Sequence, residues 1–406
     1  MNLLLCAYAC APNEGSEPEV GWRMVTGIAN QCPTDTVFVI TKGNNSEGIS
    51  SEVYPENLKF IYYSAPKWLS FWKKGGRGVR TYYYLWMIGA VLLLKKKKLK
   101  FDIIHHVTFV NDWLPSFFFL LKGERAKFIW GPIGSHDPID KKFLDGPKKK
   151  LVEIFRISLQ FLFRNFDPFF LLCKRNSDFV FGINDNVRRK VGLVSKGRFF
   201  SEPAIGIDAP KSVPKQKHSG SVFKLVSVGR LLYIKNFKLT LLAFSKFLGS
   251  KRDGRTALLT IVGGGAELHD LIAYAEVLGI SKYVEFVGNV PLQEVDSFFS
   301  SADIFLFPTL ENAGFVVLEA MSHGLPIIAM NYGGPAQFVT SYVDQQLVSS
   351  ESDYEKIADD LARNIHRFYE DDKLRCAVGS ANYSDVVSKC TWDEKVKRVV
   401  AVYESL

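Results

Sequence analysis

The chain carries at residues 308–321 the sequence PTLENAGFVVLEAM, which follows a short apolar run at residues 303–307. The run ends at a proline, a loop then carries Glu311 and Gly314, and a continuous apolar pattern begins at Phe315. A short apolar run, a loop and a helical pattern in this order are typical of one strand and one covering helix of an α/β protein. We therefore predict a buried strand, a polar loop and a helix.

Glu319 lies about one turn into the predicted helix, and its neighbours are nearly all apolar. A helix that is apolar on every face is buried, and a buried carboxylate needs hydrogen-bond donors. Vicinal ribose hydroxyls are suitable donors, so Glu319 is a candidate for binding the ribose of a nucleotide. The alternative is a core glutamate that is satisfied within the protein or that interacts with the helix dipole.

The start of the same helix is a candidate phosphate site. The backbone N–H groups of Gly314, Phe315 and Val316 lie at the predicted helix N-terminus, and glycine leaves room for an anion to approach. An anion bound there would lie beside Glu311. An ordinary capped helix without a ligand is the alternative.

Two cations follow another predicted strand, at residues 224–228. This strand runs into Gly229 and Arg230, and Lys235 follows shortly after. Ligands of α/β sheets bind at the carboxyl ends of the strands, where two cations can neutralise a diphosphate leaving group without a metal ion. A solvated basic loop is the alternative.

The three glycines after the next strand are not a dinucleotide fingerprint, because Leu268 occupies the third glycine position. This departure disfavours an NAD enzyme.

Similar short apolar runs recur through both halves of the chain and predict two open parallel sheets of the α/β class. They lie at residues 3–9, 36–40, 58–63, 102–107, 127–130 and 178–181, and then at 224–228, 257–262, 284–287, 303–307 and 326–329. The segment 199–217, rich in proline and polar residues, is interpreted as a linker. Residues 392–403 are interpreted as a final amphipathic helix.

Taken in order, the motifs of the second half resemble those of family 4 retaining glycosyltransferases, the glycosyl transferases group 1, which have the GT-B fold. The similarity depends on the order and spacing of several motifs, since a single pair of glutamates eight residues apart would be weak. The motifs are Gly229-Arg230-Leu231, Lys235, Val262-Gly263-Gly264-Gly265, Phe286-Val287-Gly288-Asn289-Val290, Glu311, Glu319-Ala320-Met321 and Gly333-Gly334. This sequence departs from the family pattern at Ala313, which is usually aromatic, and within Pro335-Ala336-Gln337, where an acidic residue is usual.

The first half resembles a bacterial branch of the same family. It has Gly15-Ser16-Glu17-Pro18, Gly21-Trp22, Phe101-Asp102-Ile103-Ile104-His105-His106 and Trp130-Gly131-Pro132-Ile133-Gly134. The resemblance implies that the first loop faces the donor diphosphate and the acceptor, and that a histidine after the fourth strand approaches the transferred sugar. Adjacent strand residues point to opposite faces, so only one of His105 and His106 faces the ligand. We favour His106, and a structural role for both is the alternative.

The resemblance implies a GT-B fold with two facing Rossmann-like domains, a central cleft and a C-terminal helix that crosses back to the N-terminal domain. We expect an acceptor-binding domain at residues 1–203 and a nucleotide-sugar-binding domain at residues 204–390. Residues 391–406 are expected to form the helix that packs on the N-terminal domain.

The motifs and the resemblance together assign candidate site residues. The catalytic candidates are Glu311, His106, Arg230 and Lys235. The donor-binding candidates are Gly15, Gly229, Arg230, Lys235, Gly263, Gly288, Asn289, Val290, Glu311, Gly314, Phe315, Val316 and Glu319. The acceptor-side candidates are Gly21, Trp22, His105 and His106. We expect no metal ligands and no cofactor beyond the donor substrate, for which a UDP- or GDP-sugar is favoured.

The expected function is that of a metal-independent, retaining glycosyltransferase that uses a nucleotide diphospho-sugar. The expected acceptor is a glycan or a lipid-linked molecule, in capsule, exopolysaccharide or lipopolysaccharide biosynthesis. Two alternatives stay open. One is a non-catalytic GT-B partner subunit, and the other is a different GT-B sugar-nucleotide enzyme such as an epimerase.

Composition and charge favour a folded chain with an anionic partner. Of the 406 residues 47% are hydrophobic, and the formal net charge is +9. Residues 67–80, together with 95–98 and 148–150, combine basic and aromatic side chains and predict peripheral contact with an anionic membrane. Nucleic acid is not expected as a partner, because no binding module is recognisable. The six cysteines form no Cys-x-x-Cys pair, which favours a reducing cytoplasm. Together with the basic stretches, this predicts a cytoplasmic protein that is peripheral at the inner face of the plasma membrane.

Overall fold

The computed structural model describes residues 1–69, 78–144, 146–192, 196–210, 220–312 and 314–406. The described residues group into two compact units. Unit 1 comprises Met1–Ser135, Ile154–Gly206 and Trp392–Leu406, and unit 2 comprises His136–Glu153 and Ile207–Thr391. The boundaries expected from the sequence lie at 203/204 and 390/391. Residues 136–153 group with the second half of the chain, which was not expected from the sequence.

Unit 1 is built on a parallel sheet of seven strands. They are β1 (Asn2–Cys6), β2 (Thr36–Lys42), β3 (Leu58–Tyr63), β4 (Ile103–His106), β5 (Lys127–Ile133), β6 (Phe179–Gly182) and β7 (Phe199–Ser201). Their spatial order is β3-β2-β1-β4-β5-β6-β7, and every neighbouring pair is parallel.

Unit 2 is built on a second parallel sheet of six strands. They are β8 (Val222–Val228), β9 (Thr256–Val262), β10 (Val284–Gly288), β11 (Ile304–Leu306), β12 (Ile327–Met330) and β13 (Leu347–Val348). Their order is β10-β9-β8-β11-β12-β13. The predicted α/β class with two parallel sheets is confirmed.

Most helices of the described chain lie between consecutive strands, as parallel connections require, and three follow the last strand. In the first half they are α1 (Ser16–Gln31), α2 (Ser46–Ser50), α3 (Val79–Lys97), α4 (Gly146–Phe166), α5 (Pro168–Asn176) and α6 (Asp185–Val191). In the second half they are α7 (Phe237–Ser250), α8 (Leu268–Val277), α9 (Leu292–Ser301), α10 (Phe315–Ser322), α11 (Gly333–Phe338), α12 (Val343–Gln346), α13 (Tyr354–Glu370), α14 (Asp372–Asp385) and α15 (Trp392–Ser405).

The central strands are continuous apolar runs because helices cover both faces of each sheet. Leu3, Leu4 and Leu5 of β1 have no exposed surface. On one face, α3 buries Tyr83 and Trp86 completely or nearly so. The apolar stretch around these two residues is therefore a covering helix of the core. In the described part of the chain, no helix is long and apolar enough to cross a bilayer.

The last helix, α15, belongs to unit 1 and packs on α1. A Cβ atom added to Gly27 of α1 would lie 2.7 Å from a methyl carbon of Val396, so the two helices approach closely. The carboxylate of Glu202, which is almost fully buried, accepts hydrogen bonds from Arg398 at 2.8 and 2.9 Å and from Lys395 at 3.4 Å. These contacts fix α15 to the chain just after β7.

Two short strands were missed in the sequence. The segment interpreted as a linker from residue 199 begins with β7, whose three residues pair with β6. Residues 211–217 of that segment lie outside the described residues. The other missed strand, β13, has only two residues, too few for a recognisable apolar run.

Candidate active site

Three glycine-containing loops meet at the carboxyl edge of the sheet in unit 2. They follow the adjacent strands β8, β9 and β10. The first two loops begin at Gly229 and Gly263, and the third begins where β10 ends, at Gly288. The N–H of Gly263 donates to the oxygen of Gly288 at 2.8 Å, and the N–H of Gly229 donates to the oxygen of Val262 at 2.9 Å. This backbone network holds the three loops together at the edge where parallel sheets bind ligands.

The backbone conformation and the close packing at position 263 require a glycine. Its φ is +132°, and a Cβ atom there would lie 2.1 Å from the backbone oxygen of Gly229. The neighbouring loop is held in the same way, because the Asn289 side chain accepts a hydrogen bond from the N–H of Gly264 at 2.8 Å. The Asn289 side chain thus positions backbone, and Val290 beside it is half-buried.

Lys235 and Glu311 form an ion pair at the same edge. The Lys235 ammonium donates a hydrogen bond to Oε2 of Glu311, and it lies 5.2 Å from the ring centre of Phe307. Lys235 is 8% exposed, and it ends a 3-10 turn at Tyr233–Lys235. The sequence analysis proposed both residues separately and did not predict that they pair.

The backbone around Glu311 is held from two sides. The N–H of Leu310 donates to the oxygen of Ile234 at 2.8 Å, and the N–H of Gly334 donates to the oxygen of Glu311 at 2.9 Å. Gly333 has a φ of +56°, and a Cβ atom on it would lie 2.0 Å from that oxygen. The paired glycines therefore allow the loop carrying Glu311 to lie against the start of α11.

Arg230 differs from Lys235 in its exposure. Arg230 is exposed directly after β8, whereas the next residue, Leu231, is fully buried and donates its N–H to Gly264 at 2.9 Å. The backbone of this loop is fixed, so the Arg230 guanidinium extends into solvent from a rigid base. A cation that is exposed in this position is available to an anionic ligand.

The start of α10 has the predicted form. Gly314 precedes the helix with a φ of +79°, and a Cβ atom on it would lie 3.0 Å from the Cα of Gly334. The first N–H groups of a helix have no partner within the helix, so those of Phe315 and Val316 are suited to bind an anion. Ala313, where the sequence departs from the family pattern, lies outside the described residues.

Glu319 is less deeply enclosed than its sequence suggested. Glu319, Phe315 and Val316 are half-buried and share one side of α10, whereas Val317 and Leu318 have no exposed surface. Within the described residues its carboxylate forms no hydrogen bond. Burial, with a smaller contribution from the nearby Asp296, raises the pKa of Glu319 to about 6, although Lys235 acts in the opposite direction. The helix therefore has one accessible side, and the carboxylate lies on it.

In unit 1 the loop after β1 presents Gly15 at the start of α1. Gly15 has a φ of +63°, and nothing lies within 4 Å of an added Cβ atom, so its surroundings are open. Gly21 and Trp22 are different. A Cβ atom on Gly21 would lie 2.0 Å from the oxygen of Ala9, and Trp22 is 9% exposed and stacks on Phe60. Their packing supports a structural role, and their acceptor-side role stays a prediction.

His105 and His106 point to opposite faces of the sheet, and both are buried. His105 bonds the Tyr403 hydroxyl through Nδ1 at 2.5 Å and the Gly131 oxygen through Nε2 at 2.6 Å. His106 contacts the Tyr83 hydroxyl through Nε2 at 2.5 Å and is 2% exposed. Burial lowers the pKa of each histidine to about 3, so both are neutral at physiological pH. Their burial and contacts support the structural alternative, and the approach of His106 to the transferred sugar stays a prediction.

The sequence analysis missed a contact beside these histidines. The Glu17 carboxylate accepts a hydrogen bond from the N–H of Phe109 at 2.6 Å, and Phe109 has a φ of +63°. A non-glycine residue in this left-handed conformation is uncommon and often lies at a functional site. The only sequence signal was the acidic residue within the motif after β1, because a positive φ at a phenylalanine has no signature in sequence.

Among the residues that the structure describes, no group of three or more His, Cys, Asp and Glu side chains is arranged to hold a metal ion.

Residues 208–385 match the family model described as Glycosyl transferases group 1. A GDP-mannose-dependent alpha-(1-6)-phosphatidylinositol monomannoside mannosyltransferase of Mycobacterium tuberculosis is 30% identical over 208 residues, which cover 49% of this chain and 51% of the relative. The chain thus spans about half the length of the curated relatives it matches.

Solved structures are similar over the full length. The lipopolysaccharide outer core galactosyltransferase WaaB in its apo form has a TM-score of 0.63 at 14% identity, with 100% of both chains covered. Anabaena Alr3699/HepE in complex with UDP has a TM-score of 0.61 at 14% identity, again with 100% of both chains covered. At this identity the likeness shows the fold, which is GT-B. Residues 208–385 are therefore similar to the Glycosyl transferases group 1 family, within a chain that has the GT-B fold.

Proposed function

We propose that this protein is a metal-independent, retaining glycosyltransferase that moves a sugar from a nucleotide diphospho-sugar to a glycan or lipid-linked acceptor. The observation that carries the proposal is the meeting of Arg230, the Lys235–Glu311 pair and the start of α10 at one edge of unit 2. A diphosphate needs cations and N–H donors together, and this edge offers both.

Each group at this edge has a proposed role. The Glu319 carboxylate accepts hydrogen bonds from the ribose hydroxyls, for which its accessible position on α10 is suitable. Arg230 and Lys235 bind the diphosphate, together with the N–H groups of Phe315 and Val316. Glu311 contacts the donor sugar, and its pairing with Lys235 links the sugar contact to the diphosphate contact.

Stabilisation of the leaving group supplies most of the proposed catalysis. As the glycosidic bond breaks, negative charge develops on the diphosphate oxygen that leaves. Fixed cations accelerate the reaction when they interact more strongly with this charge than with the intact donor. Lys235 is buried at the end of a short turn and held by an ion pair, so it requires little reorganisation during the reaction.

The nucleotide and the acceptor are proposed only by class. One similar structure contains UDP, and one relative is GDP-mannose-dependent by its name. These similarities support a UDP- or GDP-sugar as donor. The similarity to a lipopolysaccharide galactosyltransferase supports an acceptor in bacterial surface-polysaccharide synthesis. Such acceptors are lipid-linked, so we also propose a cytoplasmic location with peripheral contact to an anionic membrane.

The proposal is tested by incubating the purified full-length chain with UDP-, GDP- and ADP-sugars in excess EDTA. Release of the nucleoside diphosphate, with or without an acceptor, is measured, and NMR determines the anomeric configuration of the released or transferred sugar. We expect one donor class to be cleaved with retention. The absence of cleavage with all donors supports a non-catalytic subunit, and cleavage only after Mg²⁺ or Mn²⁺ is added contradicts the metal-free mechanism.

A further inference from the structure

Helix α4 packs against unit 1 with polar side chains. Gln160 is 5% exposed, and it accepts a hydrogen bond from Arg164 at 3.2 Å. Arg164 also lies 3.4 Å from the carboxylate of Asp112, which is almost fully buried. Phe163 packs its ring edge against Trp113 on the same side. The side of α4 that faces the protein is therefore mainly polar and charged.

The opposite side of α4 is apolar and open to solvent. We define the apolar face of α4 as five large side chains of unit 1, each more than half exposed: Ile154, Phe155, Phe161, Leu162 and Phe166. This distribution is the reverse of a surface helix, whose apolar stripe normally faces the core. Contiguous exposed apolar side chains mark an interaction surface rather than ordinary protein surface.

The next helix, α5, adds further exposed apolar side chains. It buries Phe170 and Cys173 in the core, and it leaves Phe169, Leu171 and Leu172 exposed. An ordinary amphipathic helix buries its apolar side chains and exposes its polar ones. The exposure of a second set directly after α4 extends the apolar surface along the chain.

Charge identifies the occupant of this surface. Residues 146–176 contain seven Lys and Arg residues and two Asp and Glu residues. Lys148 and Lys150 are exposed at the start of α4, one turn before its apolar face. An amphipathic helix with basic residues beside large apolar side chains binds at the interface of anionic bilayers. A second copy of the chain would bring an equal positive charge to a symmetric contact, which disfavours self-association.

We propose that the apolar face of α4 inserts into the headgroup region of an anionic lipid bilayer and docks this helix on the membrane. The phenyl and leucine side chains enter the acyl boundary, while Lys148 and Lys150 contact the lipid phosphates. This inference deepens the membrane contact of the proposed function. It differs from the sequence prediction, which relied on residues 67–80; residues 70–77 of that stretch lie outside the described residues, and Arg80 stacks on Trp113.

The test is flotation of the full-length chain with vesicles of phosphatidylcholine alone or with about 30% phosphatidylglycerol, without donor or acceptor. We expect the wild type to float with the anionic vesicles, and high salt to weaken the binding. The double variant F155D/F166D should lose at least about a hundredfold in partition coefficient, because two large apolar groups leave the membrane interface. The variant K148Q/K150Q should retain the fold and lose the preference for anionic lipid.

The matched control is V53D/V277D, which introduces the same charge at two highly exposed valines outside α4, 99% and 81% exposed. It should float like the wild type. Equal flotation of F155D/F166D and the wild type overturns the proposal, as does a wild type that binds no vesicles. A dimer in light scattering that F155D/F166D dissociates would identify a second copy as the occupant and would also overturn it. Because flotation requires no donor, these results are independent of the transfer reaction.

Discussion

The Lys235 ammonium donates a hydrogen bond to the Glu311 carboxylate, which lies 76 residues further along the chain. Lys235 follows β8, and Glu311 follows β11, the adjacent strand in the sheet. The pair therefore joins two loops at the edge where the donor diphosphate is proposed to bind. Removing one member of a largely buried pair leaves the other uncompensated, so structure and catalysis are coupled at Lys235.

A substitution of Arg230 should affect catalysis without affecting stability, because Arg230 is exposed and Lys235 is buried. We expect R230A to lower turnover at least about a hundredfold, since charge stabilisation of the leaving group is lost, and to change the unfolding free energy by less than about 0.5 kcal/mol. K235A should lower both the turnover and the unfolding free energy. Steady-state kinetics and urea unfolding are the measurements, with R252A, at an exposed arginine away from the site, as control. Wild-type turnover in both variants would rule out the diphosphate role.

Glu319 should make stability and donor binding respond to pH in opposite directions. Its folded pKa is about 6, above the ordinary 4.5 of an unfolded glutamate, so stability falls as pH rises from 4.5 through 6. E319Q should therefore raise the unfolding free energy above pH 7, by about 1 to 2 kcal/mol, and leave it unchanged near pH 4. Donor affinity in the wild type should increase as pH rises through 6, because the ionised carboxylate is the better acceptor for ribose hydroxyls.

The measurements for Glu319 are thermal unfolding without ligand and calorimetric titration with donor, each across pH 4.5 to 8. E276Q, at an exposed glutamate of α8, is the control and should follow the wild type. If E319Q binds the donor as tightly as the wild type does at pH 7.5, the ribose assignment is wrong.

Gly263 should be intolerant of any side chain. G263A places a Cβ atom 2.1 Å from the Gly229 oxygen and imposes a φ of +132° on an alanine. Both effects displace the loops after β8 and β9, so we expect donor binding to be lost and unit 2 to be destabilised by at least about 2 kcal/mol. G254A, with nothing within 4 Å of its Cβ atom, is the control for thermal unfolding and binding. A G263A variant that is as stable and active as the wild type would contradict this geometry.

Tyr403 should anchor α15 to the sheet of unit 1. Its hydroxyl bonds Nδ1 of the buried His105, so Y403F leaves that nitrogen without a donor and should cost about 1 to 3 kcal/mol. Hydrogen exchange should show faster exchange at β4 and α15 and unchanged exchange in unit 2. Y342F, at an exposed tyrosine of unit 2, is the control. Unchanged protection of β4 in Y403F would show that the bond contributes nothing to holding α15.

The sequence predicted the two sheets well because fully covered parallel strands are apolar throughout, as Leu3 to Leu5 of β1 illustrate. It also identified the loops of unit 2, since the positive φ of Gly263 and the close approach at Gly333 demand glycine. It did not predict the environment of the histidines, because the partner of His105 is Tyr403, 298 residues away. The reversed polarity of α4 was also missed, since periodicity shows that a helix is amphipathic but not which side faces the protein.

The most direct test of the central claim is calorimetric titration of the full-length chain with UDP-, GDP- and ADP-sugars in excess EDTA, comparing the wild type with R230A and E319Q. The expected result is that one nucleotide class binds at a single site of the wild type, and that both variants bind it at least about tenfold more weakly at pH 7.5. Binding of the same nucleotide with equal affinity by all three proteins, or no binding of any nucleotide to the wild type, would contradict the assignment of the donor site.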